Sequence, residues 1–217
     1  MLKTTECCLC SQVAGEESND LIARLLHGEP YVRRVMLESV SFAAIPSLGP
    51  LASGHTLLCP KTHIRSFAQL EPGLDDEYQA VKEELRRALS NRYDSGIHLF
   101  EHGMAATGDR IVCSTDHAHL HFVPLPGSCD VDGVERLPWV EFDGSLRELN
   151  RLSQGSEYIL YEPPGGNSRI LPGGQRSFES QYMRKLIAQA IGRGENWNWL
   201  DNPDPRSADE TWRRFAL

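Results

Sequence analysis

Three imidazoles alternate with apolar side chains in the run His117-Ala118-His119-Leu120-His121-Phe122-Val123. Alternate residues of a β-strand share a face and stand about 6.6–7 Å apart, so His117, His119 and His121 would line one side while Ala118, Leu120 and Phe122 enter a core. Each buried imidazole needs hydrogen-bond partners and neighbouring rings resist joint protonation, so such a face points to chemistry rather than to packing. Neutral imidazole is a common metal ligand, and a His-x-His pair can supply two ligands of a catalytic zinc. Metal-dependent hydrolases of that kind usually add an Asp-His pair just downstream. Here Phe122-Val123-Pro124 follows, which weakens the catalytic-metal reading without removing it.

A second cluster lies near the N-terminus, where Cys7-Cys8-Leu9-Cys10 places three of the six cysteines in four positions. Such crowding suits metal binding by reduced thiols better than a disulfide framework. The Cys-x-x-Cys pair at 7 and 10 is half of a tetrahedral zinc site, so two more ligands must come from elsewhere in the chain. Reduced cysteines in a hydrophobic corner, or a redox-sensitive cluster, are the alternatives, and Cys8 could replace a neighbour as ligand. His55 reads as a turn or surface histidine.

These residues need a frame. Ser18-Asn19-Asp20 gives a cap-like start to a short helix over Leu21–Leu26. Val32–Leu37 and Val40–Ile45 read as strands, and the turn-rich stretch 46–54 delivers a third, Thr56–Cys59, ended by Pro60. Leu74, Tyr78, Val81, Leu85 and Leu89 recur at helical spacing and predict one long helix from Leu74 to about Tyr93. Ile97–Phe100 is a further strand, and the histidine run continues as strand to Pro124. Composition shifts after residue 162, at Pro163-Pro164-Gly165-Gly166. A helix from about Glu179 to Gly192 and a tail with Trp197 and Trp199 follow, read as an extension packed on the core. Strands around one long helix give an α+β fold with an antiparallel sheet. The division expected is a main unit carrying the histidine run over residues 1–150 and a helical extension over 151–217.

The 217 residues carry a formal net charge of -8, with 40% hydrophobic and 24% charged residues, an ordinary globular composition. An acidic surface repels a polyphosphate backbone and so disfavours extended nucleic acid, although a small anionic nucleotide needs only a local positive pocket. No apolar run nears the roughly 20 residues that span a bilayer, and no signal-peptide core is visible, so no membrane association and a cytoplasmic location are expected.

The histidine run resembles the signature of the histidine triad superfamily, His-φ-His-φ-His-φ-φ with φ apolar, matched from His117 to Val123. Gly54-His55-Thr56-Leu57-Leu58-Cys59-Pro60-Lys61-Thr62-His63 is similar to that family's strand ending in Pro-Lys-x-His. The likeness covers roughly residues 7 to 126. It implies that His119 is the nucleophile attacking the α-phosphorus of a nucleotide, through a covalent nucleotidyl-histidine. It places His121 at the phosphate or leaving group, where histidine rather than glutamine favours the hydrolase branch over the transferase branch. Ser114 would stand near the departing group, and Phe42 and Ile45 around base and sugar. Ala44 stands where an aspartate usually meets the ribose, and Glu101, counted with the substrate-binding residues, where asparagine is usual. Zinc-containing members imply Cys7, Cys10, His63 and His117 as a closed structural zinc site. A homodimer is among the assemblies the resemblance implies, and nothing in the sequence specifies an interface.

In the extension, Gln181 and Arg184 sit near the start of a helix, where free amides attract anions; they are candidates to reach the substrate's phosphate or leaving group, the alternative being a solvated helix face that covers the core. The reading is a nucleotide hydrolase or nucleotidyl transferase acting at the α-phosphate. Its rivals are a metal-dependent hydrolase that uses the triad as ligands and a non-catalytic nucleotide-binding protein.

Overall fold

The longest helix in the computed structural model, α3, runs Asp75–Tyr93 and buries Tyr78, Val81, Leu85 and Leu89, the stripe that its spacing predicts. Asp75, Asp76 and Glu77 place negative charge on its first turn, where the helix dipole favours it, and Asp94 ends it in a left-handed conformation. The model describes residues 7–104, 116–127, 129, 132–174 and 178–216. Each side chain of the α3 stripe contributes roughly 1.5–3 kcal/mol by leaving water. Leu85 is fully buried at the centre of the stripe. Leu85→Ala is expected to cost roughly 2–5 kcal/mol. A denaturant midpoint equal to that of the parent chain would contradict this packing.

The sheet beneath α3 consists of β1 (Leu37–Glu38), β2 (Phe42–Pro46), β3 (Thr56–Pro60), β4 (Gly96–Gly103), β5 (Leu120–Leu125), β6 (Val140–Phe142), β7 (Tyr158–Glu162) and β8 (Ser168–Pro172). Their order is β1-β2-β3-β5-β4-β7-β8-β6, and every described pairing is antiparallel. The short helices are α1 (Cys8–Ala14), α2 (Leu21–Leu25), α4 (Asp132–Glu135), α5 (Leu146–Ser153), α6 (Tyr182–Ala190) and α7 (Pro205–Ala216). The fold is thus α+β.

Strand alternation divides the side chains between two layers. Phe42, Ala44, Leu58, Leu99, Leu120, Phe122, Tyr158 and Leu160 face α3 and α5 in the larger core. On the other face, Ala43, Ile45, Leu57 and Cys59 lie under α1. Phe100, Val123, Leu125, Ile159 and Tyr161 lie there under α6. The histidines open on this second face, between the N-terminal helix and the C-terminal extension.

Four elements differ from expectation. Residues 31–35 form no strand: Arg33 bonds Val13 O, and Arg34 reaches Asp209 on α7 at 2.7 Å, drawing the segment off the sheet until Met36 pairs with Ala44. β5 begins at Leu120, not 117. Before it, Ala118 N–H bonds Ile64 O at 2.7 Å and the His117 ring occupies Pro60 O, so side chain and loop replace the ladder. β7 and β8 form a hairpin turned by Pro163–Gly166, which contains Gly165 at φ 66°. The boundary expected at residue 150 falls inside α5, and the strands beyond it belong to the same sheet.

Candidate functional site

His119 leads from the loop into β5, and its Nδ1 lies 2.7 Å from the carbonyl oxygen of His117. A carbonyl only accepts, so Nδ1 carries the hydrogen and Nε2 holds the lone pair. Burial pushes the pKa of His119 down to about 4, because a charged ring there would lose its hydration. Its neutral state is therefore the stable one.

His121, on β5, stacks on Phe100 of β4 with ring centroids 4.3 Å apart and an interplanar angle of 16°. Its Nδ1 is 2.9 Å from Nε2 of His55, and the Nδ1 of His55 accepts the Leu51 N–H at 2.9 Å. The sequence of donors follows from that amide. His55 must carry its hydrogen on Nε2 and give it to His121 Nδ1, so His121 keeps its own hydrogen on Nε2. Burial holds both rings well below the usual histidine pKa. The His119 and His121 ring centroids are 4.8 Å apart, which joins a lone-pair nitrogen and an N–H donor in one site.

His55 is fully buried and not the turn or surface residue that the sequence suggests. The signal was present in the alternation: His55 shares its face with Leu57 and Cys59, the same face as His121. Phe100 could have been found in the same way, being out of phase with Leu99.

Two cavities meet at the histidine pair. One, of about 490 Å³, is lined by Leu9, Gln12, Leu21, Pro46–Gly49 and Leu57, with His119, His121, Arg184 and Trp199 among its other walls. The other, of about 360 Å³, is lined by Phe100, His102, His119, His121, Gln181, Met183, Arg184 and Trp199. The extension therefore forms part of the site. Arg184 is buried, donating from Nε to Trp197 O at 2.9 Å and from Nη2 to Gly49 O at 2.6 Å. Burial lowers its pKa to about 10, which leaves it a cation at neutral pH. Gln181 lines the second cavity, but its amide is engaged with the tail: Nε2 donates to Asn198 Oδ1 and Oε1 accepts the Trp199 N–H.

Other expected substrate residues lie elsewhere. Phe42 is fully buried on the α3 face, against Phe67 and Tyr78, with ring centroids 6.2 and 6.0 Å away. Ile45 is on the histidine face, but beneath α1. Glu101 projects to the α3 face, where Oε1 accepts the Phe67 N–H at 2.8 Å and Oε2 accepts the Tyr158 hydroxyl. Neither Phe42 nor Glu101 is brought to His119. Ser114 lies outside the described residues.

Burial raises the Glu101 pKa from its usual 4.5 to about 8, with the bonds from Tyr158 and Phe67 opposing the shift. The native state then holds a proton that the unfolded chain has already lost. This contribution to stability is complete below pH 4.5 and is lost as pH rises to about 8. Glu101→Gln has no such proton to lose. The melting temperature of the parent chain is expected to fall relative to this variant between pH 5 and pH 8.5, and parallel pH profiles would contradict the assignment.

The cysteines assemble a second centre beside the first. One ligand atom from each of Cys7, Cys10, His63 and His117 lies within 4.8 Å of all the others. Sγ of Cys10 is 3.3 Å from Nδ1 of both histidines, and Sγ of Cys7 is 3.5 Å from Nδ1 of His117. Tetrahedral bonds of about 2.3 Å to sulfur and 2.0–2.1 Å to nitrogen put neighbouring S and N ligands roughly 3.5 Å apart, so the donors fit. His117 Nε2 donates to Pro60 O at 2.9 Å, which turns the Nδ1 lone pair inward. Burial and the neighbouring Cys7 push the Cys10 thiol up to about 12, an arrangement that a divalent cation would reverse. These four residues can hold a metal ion.

Residues 32–127 match the family model described as "HIT domain". It is in this segment, which carries the strands β1 to β5 and the three histidines, that the chain is similar to histidine-triad domains. The chain is 24% identical over 117 residues to "Protein hit" of Bacillus subtilis (strain 168), which covers 54% of this chain and 77% of the relative. Among solved structures it is similar to a HIT family member from Bacillus subtilis, with 23% identity, TM-score 0.42, and 56% and 74% of the two chains covered. A Zn-bound histidine triad family protein from Mycobacterium smegmatis is similar at 24% identity, TM-score 0.41, covering 68% of this chain and 90% of its own. No helix among the described residues is long and apolar enough to cross a membrane.

Proposed function

We propose that the protein is a nucleotide hydrolase or nucleotidyl transferase that cleaves at the α-phosphate of a nucleotide conjugate through a nucleotidyl-His119 intermediate. The observation that carries this reading is the Nδ1–H bond from His119 to the His117 carbonyl, which leaves a neutral Nε2 lone pair at the junction of two cavities. In the first step Nε2 bonds to the α-phosphorus as the bond to the leaving group breaks, its electron pair departing with that group. His121 Nε2–H supports the phosphate oxygens or the leaving atom. Water or another acceptor then forms the new P–O bond and passes its proton to the departed group, while the P–N pair returns to Nε2. Ser114 is assigned near the departing group, and Arg184 beside the phosphates. Phe42, Ile45 and Glu101 act through the frame of the site, and Gln181 through the tail it holds.

Cys7, Cys10, His63 and His117 would hold a structural zinc. Full protein coordination leaves no position for a reacting water, so the ion would tie α1 to the end of β3 and the start of the triad. The rival in which the triad itself grips a catalytic metal fits less well. Among the described residues the metal-capable group includes His117 but neither His119 nor His121. A small nucleotide is the proposed ligand and the cytoplasm the proposed location, with homodimerisation open to measurement.

The test is product analysis across nucleoside phosphoramidates, dinucleoside polyphosphates and nucleotide sugars. Release of a nucleoside monophosphate from at least one class supports the reading. Binding without turnover throughout the panel would favour a non-catalytic nucleotide-binding protein.

A further inference from the structure

The C-terminal extension brings a cation to the histidine pair, and the described residues around it supply no anion. Arg184 is only 5% exposed. It donates to two backbone carbonyls, and among the described residues no carboxylate pairs with it. Among the described residues, no acidic side chain lines either of the cavities that Arg184 shares with His119 and His121. A buried guanidinium without counter-charge is costly, and carbonyl dipoles offset only part of that cost. An anion delivered with the substrate would complete it, in a fork geometry suited to phosphate.

The donor chain behind His121 points the same way. It ends at the Leu51 amide, which supplies a hydrogen bond and cannot exchange a proton at neutral pH. His121 therefore offers a hydrogen bond to a departing group, with no acid behind it to renew a transferred proton. An amine or alkoxide departs with difficulty unless it is protonated, whereas a phosphate departs as an oxyanion that needs charge neutralisation.

Resting on the function proposed above, we propose that Arg184 is a specificity-determining residue that selects substrates whose leaving group is itself a phosphate. The substrate class is then a nucleoside di- or polyphosphate anhydride. As His119 Nε2 forms its bond to the α-phosphorus, the anhydride P–O bond breaks. Its electron pair remains on the bridging oxygen, which departs on the distal phosphate facing Arg184. Water then attacks the α-phosphorus, the P–N pair returns to Nε2, and the released phosphates carry off the proton.

The experiment compares kcat/KM for a dinucleoside tetraphosphate and for a 5′-phosphoramidate of the same nucleoside, in the parent chain and in Arg184→Gln. The ratio of the two values, anhydride over amidate, is expected to fall about 100-fold, the size of effect seen when one donor to a developing oxyanion is removed. Arg184→Lys, which keeps the charge and loses the fork, is expected to recover part of that ratio. If Arg184 only latches the loop at Gly49, both substrates suffer equally and the ratio stays constant in every variant, which overturns the inference while leaving the His119 chemistry in place. A parent chain that turns over the phosphoramidate alone also overturns it. A parent chain that cleaves neither substrate takes down the functional reading and this inference together.

Discussion

Replacing His119 with alanine is expected to lower turnover of a cleavable nucleotide conjugate by about 10⁴-fold or more, the scale on which enzymes lose a covalent nucleophile. The expectation rests on division of labour among three adjacent rings. His117 points its Nδ1 at Cys7 and Cys10, His121 has its Nδ1 engaged by His55, and His119 alone has a ring nitrogen lone pair at the cavity junction. Because His119 lies outside the four-residue metal group, the variant is expected to retain the same metal content and a similar melting temperature. Steady-state kinetics together with metal analysis checks both parts. Loss of the metal on this substitution would instead favour a catalytic metal held by the triad.

The second large effect concerns stability. Cys10→Ser, or exhaustive chelation of the parent chain, is expected to remove the metal and to cost about 3–5 kcal/mol, the upper range for a single lost interaction centre. For a chain of this size each kcal/mol moves the melting temperature by about 2–4 °C, so a fall of roughly 10 °C is expected. The reason is topological. Cys7 and Cys10 sit at the start of α1, His63 follows the end of β3 and His117 precedes β5, so one centre joins three segments far apart in sequence. Without it, the Cys10 thiol is pushed up to about 12 by burial and Cys7, and the cluster becomes a set of poorly matched polar groups. Calorimetry with and without added zinc reads the effect. A chain that melts identically after complete chelation would show that the cluster does not hold the fold together.

Much of this arrangement was legible from local pattern. The α3 stripe at Tyr78, Val81, Leu85 and Leu89 is periodicity alone, and the alternation of Ala118, Leu120 and Phe122 already separated a core face from a histidine face. The closure of the Cys-x-x-Cys pair by His63 and His117 was available only through the family resemblance. What escaped depended on partners distant in sequence. His55 gains its meaning from His121, 66 residues away. The stretch 31–35 loses its strand because Arg34 finds Asp209, 175 residues on. Glu101 and Phe42 turn to the α3 face because β4 and β2 take a register that no local spacing fixes. The same holds for Arg184: its helix was visible in the sequence, but not its burial beside His119.

The most direct measurement of the central claim is the intact mass of the protein caught during turnover. The P–N bond of a phosphohistidine is labile in acid, so the reaction is quenched under alkaline denaturing conditions and the adduct mapped by fragmentation. The account predicts one nucleoside monophosphate per chain, attached at His119 and absent from His119→Ala. Turnover of substrate with no adduct at any time point, or an adduct that persists in His119→Ala, would contradict it.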